Sequence, residues 1–339
     1  MRLEAACRPI FARHETFHPR YGWVKKAYDA AYEDSGMFNS DDAVVRLGVG
    51  KNMVRSIRFW GVAFKAVTEM AQTGRGNRLT VPTTLGDVLF SEDGWDPYCE
   101  LPGTLWLLHW LLLAPPCVVP VWWLALNDFN AVEFTAEELE QFVLDRTRDW
   151  SSPHLSSVKK DVLCFLRMYA TGQSIRATFD DLIDCPFREL ALLRQSSARS
   201  GAFRFLIGAK PALPPAIAAF ACLDFVARTD SSANVVSVNR LVSEHGSPGR
   251  AFKLTEVELC RLLEQAVTES PELELTSAAG VPQLAFDDDA SGVATEVLRD
   301  HYRRLAGSAR FHGALRMAGP KADEPTDRAV PHDRIGVGR

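Results

Sequence analysis

Residues 14–18 have the types and spacing of a metal-binding motif. The order His-Glu-Thr-Phe-His matches the pattern in which zinc peptidases use two histidines one helical turn apart and a glutamate as base. That chemistry requires one continuous helix. Pro19 disfavours the helical conformation at His18, and no convincing third ligand follows, so the sequence does not indicate a metal site here.

A second short pattern, Gly-Val-Gly-Lys-Asn at residues 48–52, is reminiscent of a phosphate-binding loop. The consensus loop needs a glycine where Val45 stands and a serine or threonine where Asn52 stands. The two glycines are better explained as a tight turn between two helices. Nucleotide hydrolysis is therefore not predicted.

The helix expected after this turn, residues 51–67, carries a cationic stripe. At 100° per residue, Lys51, Arg55 and Arg58 fall within about 60° of each other. The opposite side is apolar, with Met53, Ile57, Trp60 and Phe64. Such a division suits a recognition helix, whose cations contact phosphates while its back is fixed on the domain.

Asn52 and Ser56 would add polar contacts to that helix. The alternative interpretation is the solvated face of an ordinary amphipathic helix. The distribution of charge along the chain favours the recognition helix over this alternative. The chain has a net charge of −5, but its first 80 residues sum to +5 and the rest to −10. A positive region on an acidic protein is typical of local phosphate binding.

The elements around this helix predict a winged-helix or helix-turn-helix domain over residues 1–95. A helix is expected at 20–32, and a second one, capped by Asp41 or Asp42, ends at Gly48. After the long helix, residues 74–77 form a turn into an extended stretch at 78–81, followed by a helix from Thr84. Helix, turn, helix and wing is the order found in DNA-binding domains.

The rest of the chain predicts a mainly α protein of two further parts and a tail. Residues 96–210 read as a helical domain, with helices at 105–113, 121–128, 135–150 and 156–169; the third begins with the capping-box pair Thr135 and Glu138. Residues 211–306 again resemble a winged helix, with helices at 216–228, 238–244 and 255–269 and strands at 272–275 and 282–286. Residues 307–339 have the composition of a disordered tail.

The compartment is expected to be the cytoplasm. No apolar run reaches 18 residues, and residues 1–9 lack the apolar centre of a secretory signal, so no membrane partner is predicted. The seven cysteines lie far apart with no Cys-x-x-Cys pair, which is typical of reduced thiols rather than of zinc modules.

Several strings, spread over about residues 10–290, resemble a bacterial family long described as of unknown function, the SspB-like family. The most specific are residues 11–26 and 47–60, and shorter matches occur at residues 94–97, 103–109, 210–214 and 247–254. The resemblance implies the DNA-nicking component of the Ssp DNA phosphorothioation system, in which sulfur replaces a non-bridging phosphate oxygen in anti-phage defence. It also implies sulfur-transfer and ATPase components as functional partners.

If this chain nicks DNA as the resemblance implies, it needs a nucleophile, cations for the phosphate and a group for the leaving oxygen. The candidates are His14 as acid or base, Glu15 as base or metal ligand, Arg20 as phosphate clamp and Tyr21 as nucleophile, with Mg²⁺ or Mn²⁺ as candidate cofactors. Lys25 and Lys26 would add cations.

Two alternatives stay open from the sequence. His14, Glu15 and Arg20 could instead form a buried polar network that ties the N-terminal arm to the first helix. The chain as a whole could be a noncatalytic DNA-binding adaptor or regulator that recruits the modification enzymes. A homodimer is a further expectation that the sequence does not decide.

Overall fold

The computed structural model describes residues 1–71, 78–171, 185–230 and 232–307. In these ranges the protein is mainly α-helical with three small sheets, which confirms the predicted fold class. The predicted turn at 74–77 lies outside the described residues. Of the predicted tail, only Gly307 is described, as the last residue of a helix.

The N-terminal region begins with four helices. They are α1 (Leu3–Ala6), α2 (Trp23–Glu33), α3 (Ala43–Leu47) and α4 (Lys51–Ala63), with a short 3-10 turn (Met37–Asn39) between α2 and α3. Two antiparallel strands, β1 (Val67–Ala71) and β2 (Arg78–Pro82), follow and lead into α5 (Thr84–Phe90). The predicted order of three helices followed by an extended stretch at 78–81 is observed as α2, α3, α4 and β2. Helix α1 and strand β1 are additional, and the winged-helix assignment itself stays a prediction.

Helix α4 is shorter than predicted because the chain turns at Lys65. Its buried face contains Val54, Ile57 and Trp60, three or four residues apart as a helix requires. Lys65 then has a positive φ of 61°, and its ammonium group donates to the carbonyl of Ala114 at 2.7 Å. The helix therefore ends before 67, and β1, which the sequence did not predict, pairs with β2.

Close packing of α4 on α2 fixes the orientation of α4. A side chain at Gly61 would place a Cβ 2.6 Å from the Cβ of Ala27, which is too close for two carbon atoms. Glycine lets the two helices approach, and Trp60 and Phe64 fill the space beside the contact with no exposed surface.

The middle region contains four helices and a small sheet. They are α6 (Pro102–Leu113), α7 (Pro120–Asn127), α8 (Ala136–Thr147) and α9 (Leu155–Tyr169), with strands β3 (Ala170–Thr171), β4 (Leu193–Gln195) and β5 (Phe203–Phe205) and a 3-10 turn (Pro186–Leu190). All four predicted helices are present within a few residues. The predicted capping box at α8 is confirmed, since Thr135 and Glu138 bond to each other's backbone amides.

The C-terminal region repeats a helix and hairpin order. Its elements are α10 (Pro215–Thr229), β6 (Val235–Ser237), α11 (Val238–Ser243), α12 (Pro248–Phe252), α13 (Glu256–Glu269), β7 (Leu273–Ala278), β8 (Val281–Phe286) and α14 (Ala290–Gly307). The sheet has the order β6-β8-β7 and is antiparallel. The three predicted helices and both predicted strands are observed, whereas β6, α12 and α14 are additional.

A continuous apolar core joins the three regions. The helices α6 and α7 lie at its centre, and Trp106, Trp122 and Trp123 are almost completely buried there. One buried histidine links two regions, because His109 contacts the hydroxyl of Tyr169 at 2.8 Å and the carbonyl of Ala251 at 2.9 Å. No helix in the described ranges has the length and apolar character needed to cross a bilayer.

Candidate nucleic-acid interface

A groove of about 700 Å³ runs along one face of α4. Its floor includes Phe59 and Val62, which lie on the same side of the helix as the predicted cationic stripe, and the buried Val54 lies at the edge of that side. One wall is the N-terminal arm, defined here as residues 8–15. The other wall is the hairpin β1–β2 with the Met37–Asn39 turn beside it. Three separate parts of the N-terminal region therefore build one concave surface, called the arginine groove below.

Five arginines line this groove. They are Arg8, Arg13, Arg55, Arg58 and Arg78, and the acidic residues among the lining side chains are Glu15 and Glu69, so the charged side chains sum to +3. A guanidinium group stays protonated at any physiological pH and can bond two oxygens of one phosphate at once. The groove is therefore suited to a phosphate-bearing ligand.

The hairpin wall holds two of these arginines in place through Glu69. The guanidinium of Arg58 lies 3.0 Å from one carboxylate oxygen of Glu69, and that of Arg78 lies 3.3 Å from the other. Arg58 also donates to the carbonyl of Arg78 at 3.2 Å. An exposed pair of this kind adds little stability. Its effect is to fix the direction in which the two cations point.

The backbone of the arm is strained and is held in place by hydrogen bonds from other parts of the chain. Ala12, Glu15 and Thr16 have positive φ values of 55°, 50° and 70°, a conformation that side chains other than glycine rarely adopt. Asp161 of α9 compensates, because one of its carboxylate oxygens accepts from the amide of Ala12 at 2.9 Å. Trp60 adds a bond from its indole nitrogen to the carbonyl of Phe17 at 3.0 Å. Strain held by surrounding contacts is common at functional sites.

His14 lies beneath the groove rather than in it. Its side chain is 1% exposed, and its Nε2 lies 2.6 Å from the carboxylate of Asp161. Burial raises the pKa of the Asp161 carboxyl, and His14 acts in the opposite direction. The ring also stacks on Trp60 with centroids 6.1 Å apart. This position favours the alternative in which His14 anchors the arm, although the partner is α9 rather than the first helix.

The other three candidate catalytic residues do not share a pocket. Glu15 lines the arginine groove, with a carboxylate oxygen 3.5 Å from the guanidinium of Arg55. Arg20 and Tyr21 line a different, much smaller pocket. There the Arg20 guanidinium lies 5.7 Å from the centre of the Trp23 ring.

Tyr21 is placed poorly for a nucleophile. Its hydroxyl donates to the carboxylate of Glu189, and partial burial together with this bond raises the pKa of Tyr21. A raised pKa lowers the fraction of tyrosinate, the form that attacks phosphorus. The catalytic assignments for these four residues stay predictions, and the geometry gives Glu15 the most direct access to a ligand in the groove.

The predicted cations of α2 are engaged in local contacts. Lys25 lies 2.5 Å from the carboxylate of Asp29 one turn later on the same helix. Lys26 donates to the carbonyl of Leu47 at 3.0 Å, which ties α2 to the end of α3. Neither lines the arginine groove.

The predicted contacts of α4 divide into three groups. Lys51 and Asn52 are exposed at the start of the helix. Arg55 and Arg58 line the groove, with side chains 56% and 22% exposed. Ser56 has no exposed surface because it lies on the side of the helix that packs inward, so this position does not favour its predicted DNA contact.

Three of the five groove arginines were not identified from the sequence. Arg8 and Arg13 lie in an arm without regular structure, where no helical or strand period shows which way a side chain points. Arg78 begins β2, which was predicted as extended without a binding role. The excess positive charge of the first 80 residues was the signal that could have drawn attention to them.

Fold and groove together define a mainly helical protein with a cationic groove between an N-terminal arm and a helix and hairpin unit. Residues 11–302 match the family described as protein of unknown function DUF4007, so the chain belongs to that family.

Two solved structures are similar to this chain over nearly all its length. One is a crystal structure of SspB, 39% identical, with a TM-score of 0.85, covering 91% of this chain and 92% of that one. The other is a magnesium ion-bound crystal structure of SspB, 39% identical, with a TM-score of 0.86 and coverage of 92% and 93%. A comparison with curated proteins gave no match. The resemblance to the SspB-like family is thus confirmed.

Proposed function

We propose that this protein binds DNA through the arginine groove and nicks or presents the DNA backbone for sulfur incorporation in an Ssp-type phosphorothioation system. The observation that carries the proposal is the convergence of five arginines from three chain segments on one groove. Scattered surface cations are ordinary, but a concave surface in which both acidic side chains are paired to arginines is suited to a polyanion.

The similarity to SspB supplies the system in which this groove would act. At 39% identity with more than nine tenths of both chains covered, the fold and its element order are shared. The resemblance in sequence implies the DNA-nicking component of phosphorothioation, so the proposed partners are DNA and the sulfur-transfer and ATPase components. The winged-helix character of residues 1–95, the cytoplasmic location and a homodimer belong to the same proposal.

Nicking requires more than phosphate binding. The arginines would bind the phosphate and stabilise the charge that develops on its oxygens during displacement. Glu15, half-buried beside Arg55, is the groove carboxylate placed to take a proton from an attacking water. The reaction would break one P–O bond and form another, with the leaving oxygen protonated by solvent.

A divalent metal is part of the sequence prediction, and one of the two SspB structures contains magnesium. In the described ranges of this chain no group of three or more His, Cys, Asp or Glu side chains is placed to hold a metal. The two groove carboxylates are each held by arginine. The described residues do not form a metal site of their own.

A plasmid relaxation assay tests the enzymatic form of the proposal. Supercoiled plasmid is incubated with purified protein in buffer containing Mg²⁺, Mn²⁺ or EDTA, and open-circular product is measured over time. We expect nicking by the native chain and a loss of at least about 100-fold in Glu15→Gln, the lower end of the range for a lost general base. Glu274→Gln, on the exposed C-terminal hairpin, is the matched control.

The alternative function is an adaptor that binds DNA without cutting it. It is favoured by the burial of His14 and by the separation of Tyr21 from the groove. Binding of plasmid with no open-circular product under any of the three conditions would select the adaptor. Absence of both binding and nicking would refute the proposal in either form.

A further inference from the structure

The shape of the arginine groove carries information about which form of DNA it accepts. To read a duplex, a helix must protrude far enough to enter a major groove about 12 Å wide and 8.5 Å deep. Here the cationic face of α4 forms the floor of a concavity, with the arm on one side and the hairpin on the other. The walls would meet a duplex before α4 could reach its bases.

The lining of the groove is apolar and aromatic as well as charged. Phe59 and Val62 come from α4, Ile10 from the arm and Phe38 from the 3-10 turn, and all four are partly exposed. A surface that met only phosphates would not gain from apolar groups. A nucleobase, in contrast, has two apolar faces that stack on aromatic rings.

Phe59 is held rigidly in this floor. Its ring contacts Trp60 edge to face with centroids 5.1 Å apart, and it contacts His14 in the same way at 6.1 Å. His14 is in turn fixed by Asp161 at 2.6 Å. A ring that is already ordered loses little entropy when a base stacks on it.

We propose that the arginine groove takes an unpaired nucleotide, with its base against Phe59 and its phosphates on the surrounding arginines. The substrate class is therefore single-stranded DNA or a base extruded from a duplex, not an intact duplex. A volume near 700 Å³ is that of a small-molecule pocket and is consistent with one or two nucleotides. This inference rests on the proposed function and specifies the DNA on which it acts.

The test is binding of three labelled DNAs measured by fluorescence anisotropy at one salt concentration. They are a 12-nucleotide single strand, the matching blunt duplex, and that duplex with a central three-nucleotide bulge. The full-length protein is expected to bind the single strand and the bulged duplex at least about fivefold more tightly than the blunt duplex, the lower end of the range for stacking one base on an aromatic side chain.

Phe59→Leu is the informative variant because leucine keeps most of the packing on Trp60 but lacks an aromatic face. It is expected to lose most of the preference for unpaired DNA while its melting temperature stays near that of the native chain. Tyr32→Ala, an exposed aromatic residue outside the groove, is the control and should bind as the native chain does.

The binding results that would overturn this inference differ from those that would overturn the proposed function. If Arg55→Gln weakens binding of all three DNAs while Phe59→Leu changes none, the groove binds DNA but does not stack a base, and the inference is overturned. Equal or tighter binding of the blunt duplex by the native chain overturns it as well. If Arg55→Gln leaves binding of all three DNAs unchanged, the proposed function fails together with the inference.

Discussion

At the scale of single residues, the arm of the arginine groove depends on the pair of His14 and Asp161. Both side chains are at least nine tenths buried, and the same carboxylate holds the amide of Ala12. Removing the partner of a buried carboxylate strongly destabilises the folded protein, whereas removing the partner of an exposed carboxylate does not. The contact between His14 and Asp161 therefore affects the arginine groove by holding the N-terminal arm in position.

His14→Ala is expected to lower the free energy of unfolding by about 3–5 kcal/mol, because it leaves the Asp161 carboxylate buried without its histidine. Urea denaturation monitored by tryptophan fluorescence measures this. Glu15→Ala, next to it in the chain but on the groove side, should change stability by less than about 1 kcal/mol. A fully stable His14→Ala that has lost nicking would instead make His14 a catalytic residue.

At the scale of elements, the β1–β2 hairpin sets the charge of the groove through Glu69. This side chain fixes Arg58 and Arg78, but it also places a negative charge next to any bound phosphate. The groove is thus less attractive to DNA than its arginines alone would make it.

Glu69→Gln is expected to raise DNA affinity about fivefold at low salt, the effect of removing about 1 kcal/mol of repulsion between charges near 4 Å apart in water. The gain should shrink as salt is added. Anisotropy titrations at several salt concentrations measure it, with Glu274→Gln on the C-terminal hairpin as control. Unchanged binding at low salt would remove the hairpin from the interface, and weaker binding would show that positioning of Arg58 and Arg78 by Glu69 outweighs its repulsion.

Most elements of this protein were predictable because their signals are local. The capping box at Thr135 and the apolar period of α4 are read from adjacent residues. The strand β1 was missed because its sequence, Val-Thr-Glu-Met-Ala, is also compatible with a helix. It is a strand because the chain turns at Lys65 and pairs with β2.

The candidate site was predictable only in part for the same reason. Arg55 and Arg58 share a helical face because they are three residues apart. Arg8 and Arg13 reach the groove because the arm is anchored to Asp161, 147 residues beyond His14. No local pattern encodes a contact over that separation, and the same applies to the burial of His14.

At the scale of the whole molecule, three lysines with desolvated ammonium groups make stability depend on pH. Burial lowers the pKa of Lys65 and Lys210 to about 8 and that of Lys253 to about 7, from an ordinary value of 10.5. Between the folded and unfolded pKa values, the unfolded chain binds more protons than the folded one, so stability rises with pH. Burial raises the pKa of the Cys99 and Cys222 thiols, which has the opposite effect above about pH 9.

The free energy of unfolding is therefore expected to rise from pH 7 to about pH 8.5, where the lysines lose protons in the folded chain before the thiols titrate in the unfolded chain. Lys253→Met should make the rise smaller, because it removes the group whose pKa is lowered furthest. Urea denaturation at intervals of half a pH unit measures the profile, and Lys160→Met, at an exposed position of α9, is the control. A flat profile between pH 7 and 8.5 in the native chain would contradict the burial of these charges.

The central claim, that the arginine groove binds nucleic acid, is tested most directly by the salt dependence of binding to a single-stranded oligonucleotide. The native chain is compared with a triple variant, Arg8→Gln, Arg13→Gln and Arg55→Gln, and with a control in which Lys160, Arg194 and Arg204, exposed on other elements, are replaced in the same way. Three lost phosphate contacts should reduce the slope of log K against log salt by about 2. An unchanged slope and affinity in the groove variant, or an equal loss in the control, would contradict the account.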